Sequence, residues 1–137
     1  MGKPTGFLEY TRREDGRRPA AERVRDWEEF HLPLPEEIRR QQGARCMNCG
    51  VPFCQAGMIY EGKAFGCPLH NLIPEWNDLV YRGRMDEAAQ RLALTSPLPE
   101  FTSRVCPALC EAACNLGTVD GEPTTIHDNE RFISDWV

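Results

Sequence analysis

The chain has 137 residues, with 16 basic and 21 acidic side chains and a formal net charge of −5, a size that fits one domain and a balance that argues against a nucleic-acid partner. Leu, Ile, Val and Phe supply only 28 residues, the lower edge of what sustains a self-sufficient apolar core. The longest stretch free of formal charge, 46–60, contains Asn48, Pro52 and Gln55, so no membrane partner is predicted.

The first residues lack the apolar run of an export signal, because 9–29 are rich in charge, and the cytoplasm is the expected compartment. In that reducing setting the seven cysteines read as metal ligands rather than disulfides. An odd number of thiols also cannot pair completely.

Residues 1–34 read as an N-terminal arm, with Pro4, Gly16, Pro19, Pro33 and six arginines between Arg12 and Arg25. A flexible tail competes there with a short anchored helix, for which Trp27 and Phe30 have the i, i+3 spacing. Composition changes near residue 45: the first 45 residues hold 10 basic and 9 acidic side chains, the remaining 92 hold 6 and 12 and every cysteine. Residues 35–137 are read as one helical domain. Its first helix opens at Pro35 with Glu36 and Glu37 and stops at Gly43. A second opens at Pro74, carries Trp76, Leu79 and Val80, and ends at Arg82-Gly83-Arg84. A third covers 86–94 with Ala88, Ala89, Leu92 and Ala93, making an antiparallel hairpin with the second. Thr125 and Asp128 resemble a capping box for a last helix with Ile126, Phe132, Ile133 and Trp136. Trp76, Leu79 and Trp136 read as core. No window alternates convincingly as a strand, so the fold class is all-α.

The cysteines fall in two groups: Cys46-x2-Cys49-x4-Cys54 followed by Cys67-Pro68, and Cys106-Pro107-x2-Cys110-x3-Cys114. Short spacings of this kind let one loop reach three corners of a cubic cluster, with the fourth ligand from a distant Cys-Pro, as in bacterial ferredoxins. Proline after the ligand removes an N–H and lets a helix begin there. Two four-iron clusters need eight protein ligands, and seven cysteines leave one position to another residue. His70, His127, Asp128 and Glu130 are the candidates, and spacing does not choose among them.

The strings GFLEYTRRED, ARCMNCGVPFC, GCPLHNLIPEWNDLVYRGRMDEAAQRL and PEFTSRVCPALCEAAC resemble the amino-terminal iron–sulfur domain of the small (beta) subunit of NADPH-dependent glutamate synthases. The amino-terminal domain of dihydropyrimidine dehydrogenase is a more distant relative. This resemblance implies an alpha-helical ferredoxin-like domain wrapped around two [4Fe-4S] clusters with crossed ligands. Carried over by position, Cys46, Cys49, Cys54 and Cys114 hold the first cluster, and Cys67, Cys106 and Cys110 hold the second. In the dehydrogenase relative a side-chain oxygen in the helix after a Pro-x-x-Ile stretch completes the second cluster, and the same count from Pro123 and Ile126 implies Glu130 here. The dehydrogenase has a glutamine there and two more residues between the cysteines matching Cys106 and Cys110, which is where this sequence departs from it.

The resemblance also implies the reaction. NADPH reduces FAD in the rest of the small subunit, the clusters relay single electrons, and FMN in the large (alpha) subunit receives them for glutamate synthesis from glutamine and 2-oxoglutarate. The eleven glycines never take the G-x-G-x-x-G spacing, so the FAD and NADPH domains are expected beyond this segment, which holds no complete active site. Two other readings compete. One is an iron–sulfur relay of another NAD(P)H-dependent flavoprotein. The other is a zinc-stabilised interaction domain using the thiolates with His70 or His127. For Glu130 alone, the plain alternative is a solvated helix residue.

Overall fold

Helices dominate residues 3–136, the part that the computed structural model describes. In chain order the elements are α1 (Gly6–Glu9), β1 (Gly16–Arg17), α2 (Ala20–Arg23), β2 (His31–Leu32), α3 (Glu36–Ala44), a 3₁₀ turn (Phe53–Gln55), β3 (Met58–Tyr60), β4 (Lys63–Phe65), α4 (Ile73–Arg82), α5 (Met85–Ala93), α6 (Pro99–Val105), α7 (Leu109–Ala112), α8 (Asn115–Val119) and α9 (Ile126–Trp136).

The helical expectation holds for α3, α4, α5 and α9, with adjustments at their ends. Gly43 does not stop α3, which continues to Ala44. A Cβ on Gly43 would lie 2.9 Å from the Asn77 carbonyl oxygen, so this glycine is there to let α3 approach α4. Gly83 caps α4 in the left-handed conformation, as its position predicts. The Asp128 side chain, expected to complete a capping box with Thr125, is taken up instead by the Asp15 N–H at 2.9 Å and, within α9, by Arg131 at 3.0 Å.

Strand, unforeseen in the sequence, occurs as two small antiparallel ladders. One pairs Gly16 with Leu32 and Arg17 with His31. The other is a hairpin pairing Met58 with Phe65 and Tyr60 with Lys63. Glu61 (φ 49°) and Gly62 (φ 75°) make its turn, both left-handed as a two-residue hairpin with right-twisted strands requires.

The apolar core joins Ile73, Trp76 and Val80 of α4, Met85, Ala88 and Leu92 of α5, and Ile126 and Ile133 of α9. Burying an aliphatic side chain of this size contributes about 1.5–3 kcal/mol. Cys54 and Cys110 belong to the same cluster of buried side chains. Trp76 is in the core as expected, whereas Trp136 is 45% exposed.

Among the described residues, polar and charged side chains are buried as often as apolar ones, and they are organised around the amino-terminal segment. The Asp15 carboxylate is 3% exposed and pairs with Arg39 of α3 and Arg131 of α9, themselves 1% and 3% exposed. Arg39 also donates to Asn129 at 2.9 Å, and Asn129 donates to Asn77 at 2.7 Å. Arg45 reaches the Tyr10 carbonyl and, at 2.7 Å, the Glu122 carbonyl. Gln42 exchanges hydrogen bonds with the Thr11 carbonyl and the Arg13 N–H. Residues 10–15 are therefore stitched into the helical body.

The helix expected around Trp27 and Phe30 lies instead at α2. Trp27 is fully exposed, and the Arg18–Asp26 pair, 2.7 Å, closes the excursion between β1 and β2 on itself. Glu29 ties this loop to Arg104 of α6 at 2.6 Å.

Candidate metal centres

Two cavities gather all seven cysteines. The first is lined by Cys46, Cys49, Cys54 and Cys114, and the second by Cys67, Cys106, Cys110 and Glu130. Ile73 and Ile126 line both, so the cavities share an apolar wall contributed by the first turns of α4 and α9.

Local backbone geometry delivers each thiol. Cys46 follows the end of α3, and Asn48, two residues on at φ 50°, has its backbone N–H facing the Cys46 sulfur. The same device recurs in the second group, where Ala108 takes φ 56° and its N–H lies 3.4 Å from the Cys106 Sγ. Left-handed non-glycine residues are uncommon. Here both have their amide hydrogens directed at a cysteine sulfur.

Cys54 sits in the 3₁₀ turn and Cys67 just after β4. The Cys67 N–H donates to the Cys54 carbonyl at 2.7 Å, so the hairpin returns the chain from one cavity to the other. Gly66 permits this at φ 74°; a Cβ on it would lie 2.5 Å from the Phe53 carbonyl oxygen. Cys106 follows α6, Cys110 lies in α7, and Cys114 precedes α8. Four residues therefore carry the chain from a wall of the second cavity to a wall of the first.

Glu111, between Cys110 and Cys114, takes Arg12 at 3.0 Å on one carboxylate oxygen and the His127 N–H at 2.9 Å on the other. It joins the amino-terminal segment, the second cysteine group and the first turn of α9. Arg12 continues to the Pro123 carbonyl at 2.6 Å.

Of the four candidates for an eighth ligand, Glu130 shares a cavity wall with Cys67, Cys106 and Cys110, whereas His127 and Asp128 line a separate, polar cavity that meets only Cys106 of the cysteines. It is 7% exposed, and the Thr102 hydroxyl donates to its Oε1 at 2.7 Å. His70 Nδ1 donates to the Gln55 carbonyl at 3.1 Å, His127 Nε2 to the Thr102 carbonyl at 3.3 Å, and Asp128 is committed to Asp15 and Arg131. The plain reading of Glu130 as a solvated residue does not fit its burial.

The electrostatics fit a cationic occupant. Burial pushes the Cys46 and Cys54 thiols up to about 12, with neighbouring cysteines adding to the effect. It pushes Cys110 up as well, helped by Glu111, Cys67 and Cys106. Burial also raises Glu130, against the Thr102 hydrogen bond. Thiols this poorly solvated stay protonated unless positive charge arrives, so loading with metal must release protons. Among the described residues no group of three or more His, Cys, Asp or Glu is gathered closely enough to hold a single metal ion; the seven cysteines and Glu130 line the walls of the two cavities. Among those same residues no helix is long and apolar enough to cross a membrane.

Sequence reasoning missed Thr102, Arg12 and Glu111. Glu111 had one available signal, its place between two cysteines of one group; the other two had none.

Comparison with known proteins agrees with the donor chemistry. The chain is 53% identical over 135 residues, 98% of its length, to the glutamate synthase [NADPH] small chain of Bacillus subtilis. It is 50% identical over 136 residues to the same chain of Mycobacterium tuberculosis, and 45% over 135 residues to the glutamate synthase [NADH] of Schizosaccharomyces pombe. It spans 27%, 26% and 6% of those three proteins. A family model described as dihydropyrimidine dehydrogenase domain II, 4Fe-4S cluster, matches residues 23–137, and the chain belongs to that iron–sulfur family.

Proposed function

We propose that this chain is the two-cluster electron relay of an NADPH-dependent glutamate synthase. Electrons enter from FAD that NADPH has reduced in a C-terminal flavoprotein domain of the same subunit. They leave singly for FMN in a large (alpha) subunit, where glutamate is formed from glutamine and 2-oxoglutarate, in the cytoplasm. When bound, the [4Fe-4S] clusters supply one-electron redox chemistry between the two flavins.

The observation that carries this reading is the division of eight donors between two adjoining cavities, four to each. In the proposal Cys46, Cys49, Cys54 and Cys114 hold the first cluster, and Cys67, Cys106, Cys110 and Glu130 hold the second. The chain's own residues then do three things. Amide hydrogens of Asn48 and Ala108 face Cys46 and Cys106 and stabilise their negative charge. Ile73 and Ile126 keep the wall between the cavities dry. Arg12 and Glu111 hold the second cysteine group against α9. A carboxylate is a harder donor than thiolate, so the two clusters differ in potential.

Iron and acid-labile sulfide analysis of the full-length protein, purified without oxygen, tests the reading. About eight of each per chain is expected from two cubic clusters. Zinc without sulfide would overturn it. Glutamine-dependent oxidation of NADPH by the assembled enzyme separates this relay from that of another flavoprotein.

A further inference from the structure

Thr102 stands where α6 meets α9, and it touches two of the proposed second-cluster ligands at once. Its hydroxyl donates to Glu130 Oε1 at 2.7 Å, while its carbonyl accepts the Cys106 N–H at 3.0 Å. Both Thr102 and Glu130 are on the wall of the second cavity. The hydroxyl has one hydrogen and a second acceptor within reach, the Leu98 carbonyl at 3.3 Å. The shorter contact has the length of a hydroxyl–carboxylate hydrogen bond, so the hydrogen belongs to Glu130. That bond occupies Oε1 and leaves Oε2 as the carboxylate atom available to a metal.

We infer that Thr102 is a positioning residue for the second cluster: it fixes the Glu130 carboxylate beside Cys106 and tempers its donor strength. The inference rests on the assignment of Glu130 as a ligand. Partners hydrogen-bonded to metal ligands orient them and tune the metal, and removing one commonly weakens metal retention roughly 10–100-fold. A hydroxyl donating to a carboxylate draws electron density from it. Without that donor the carboxylate holds more negative charge, which favours the oxidised cluster and makes it harder to reduce, while the loss of a fixed orientation loosens its hold on iron.

The test uses the full-length small chain, purified anaerobically, with potentials followed by electron paramagnetic resonance and iron loss followed against a chelator. Thr102→Val should lower the potential of one cluster and speed its loss of iron about tenfold or more, while the other cluster stays as in the wild type. Thr102→Ser should restore both properties. In a Glu130→Ala background, Thr102→Val should add nothing. Thr102→Ala repeats the comparison where the branched methyl disturbs α6. If Glu130→Ala alters a cluster and neither Thr102→Val nor Thr102→Ala does, the positioning role is wrong and the ligand assignment stands. An equal effect of the Thr102 variants with and without Glu130 also refutes the positioning role. If Glu130→Ala alters neither cluster, the ligand assignment itself fails, and this inference with it.

Discussion

Asp15 tests whether the amino-terminal segment is structural. Its carboxylate is 3% exposed and takes Arg39 and Arg131, with the Leu34 N–H at 3.0 Å as a further donor. Asp15→Ala leaves two guanidinium groups in place, neither more than 3% exposed. Arg39 keeps Asn129 and Thr125, and Arg131 keeps Asp128. Removing one partner of a buried ion pair costs about 3–5 kcal/mol, because the remaining charge is stranded rather than because the pair itself is strongly stabilising. Each kcal/mol moves the melting midpoint of a chain this size by about 4 °C, so a drop of roughly 12–20 °C is expected. Thermal bleaching of the iron–sulfur absorbance in the full-length protein, at one scan rate, reports on this domain within its larger chain. Asp15→Asn, which keeps a hydrogen-bond acceptor but no charge, should fall between Asp15→Ala and wild type. An Asp15→Ala midpoint within about 2 °C of wild type, half of one kcal/mol on the same scale, would refute the reasoning and return residues 1–34 to a loosely attached tail.

Other substitutions probe the site from different sides. Gly66→Ala places a Cβ 2.5 Å from the Phe53 carbonyl oxygen at φ 74°; beyond about 1–2 kcal/mol of left-handed strain, it must separate Cys54 from Cys67. Iron content of the anaerobically purified protein should fall, and full occupancy of both clusters would contradict the placement. Glu111→Gln loses the charge that faces Arg12 and the His127 N–H but removes no proposed ligand. It should lower the bleaching midpoint with unchanged iron content, by about 1.5–3 kcal/mol for hydrogen bonds to a charged group. A loss of iron instead would mean that Glu111 acts on a cluster directly.

Much of this architecture could be read before any coordinates. Cysteine spacing gave the two groups, and periodic apolar residues gave α4, α5 and α9, since long amphipathic segments declare themselves. Helices α6, α7 and α8 were not legible, being four to seven residues long and set by the ends of other elements rather than by periodicity. The hairpin was missed because Glu61-Gly62 lacks the Asn-Gly or Asp-Gly signal that usually announces such a turn. Nothing in the sequence marks Asp15, Arg39 and Arg45 as buried, because the partners that bury them lie far along the chain. Glu130 could not be separated from His127 and Asp128 by spacing. Helix α9 turns Glu130 to the cavity that Cys67, Cys106 and Cys110 line, while Asp128 turns to Asp15 and a separate polar cavity, a distinction that only the packing of α9 makes.

The division of the thiolates has its most direct test in a pair of variants of the full-length protein. Cys110 and Cys114 are one helical turn apart in sequence but line different cavities. Electron paramagnetic resonance of the reduced, anaerobically prepared protein should show Cys110→Ser perturbing one cluster and Cys114→Ser the other. The same cluster damaged by both would contradict the crossed arrangement.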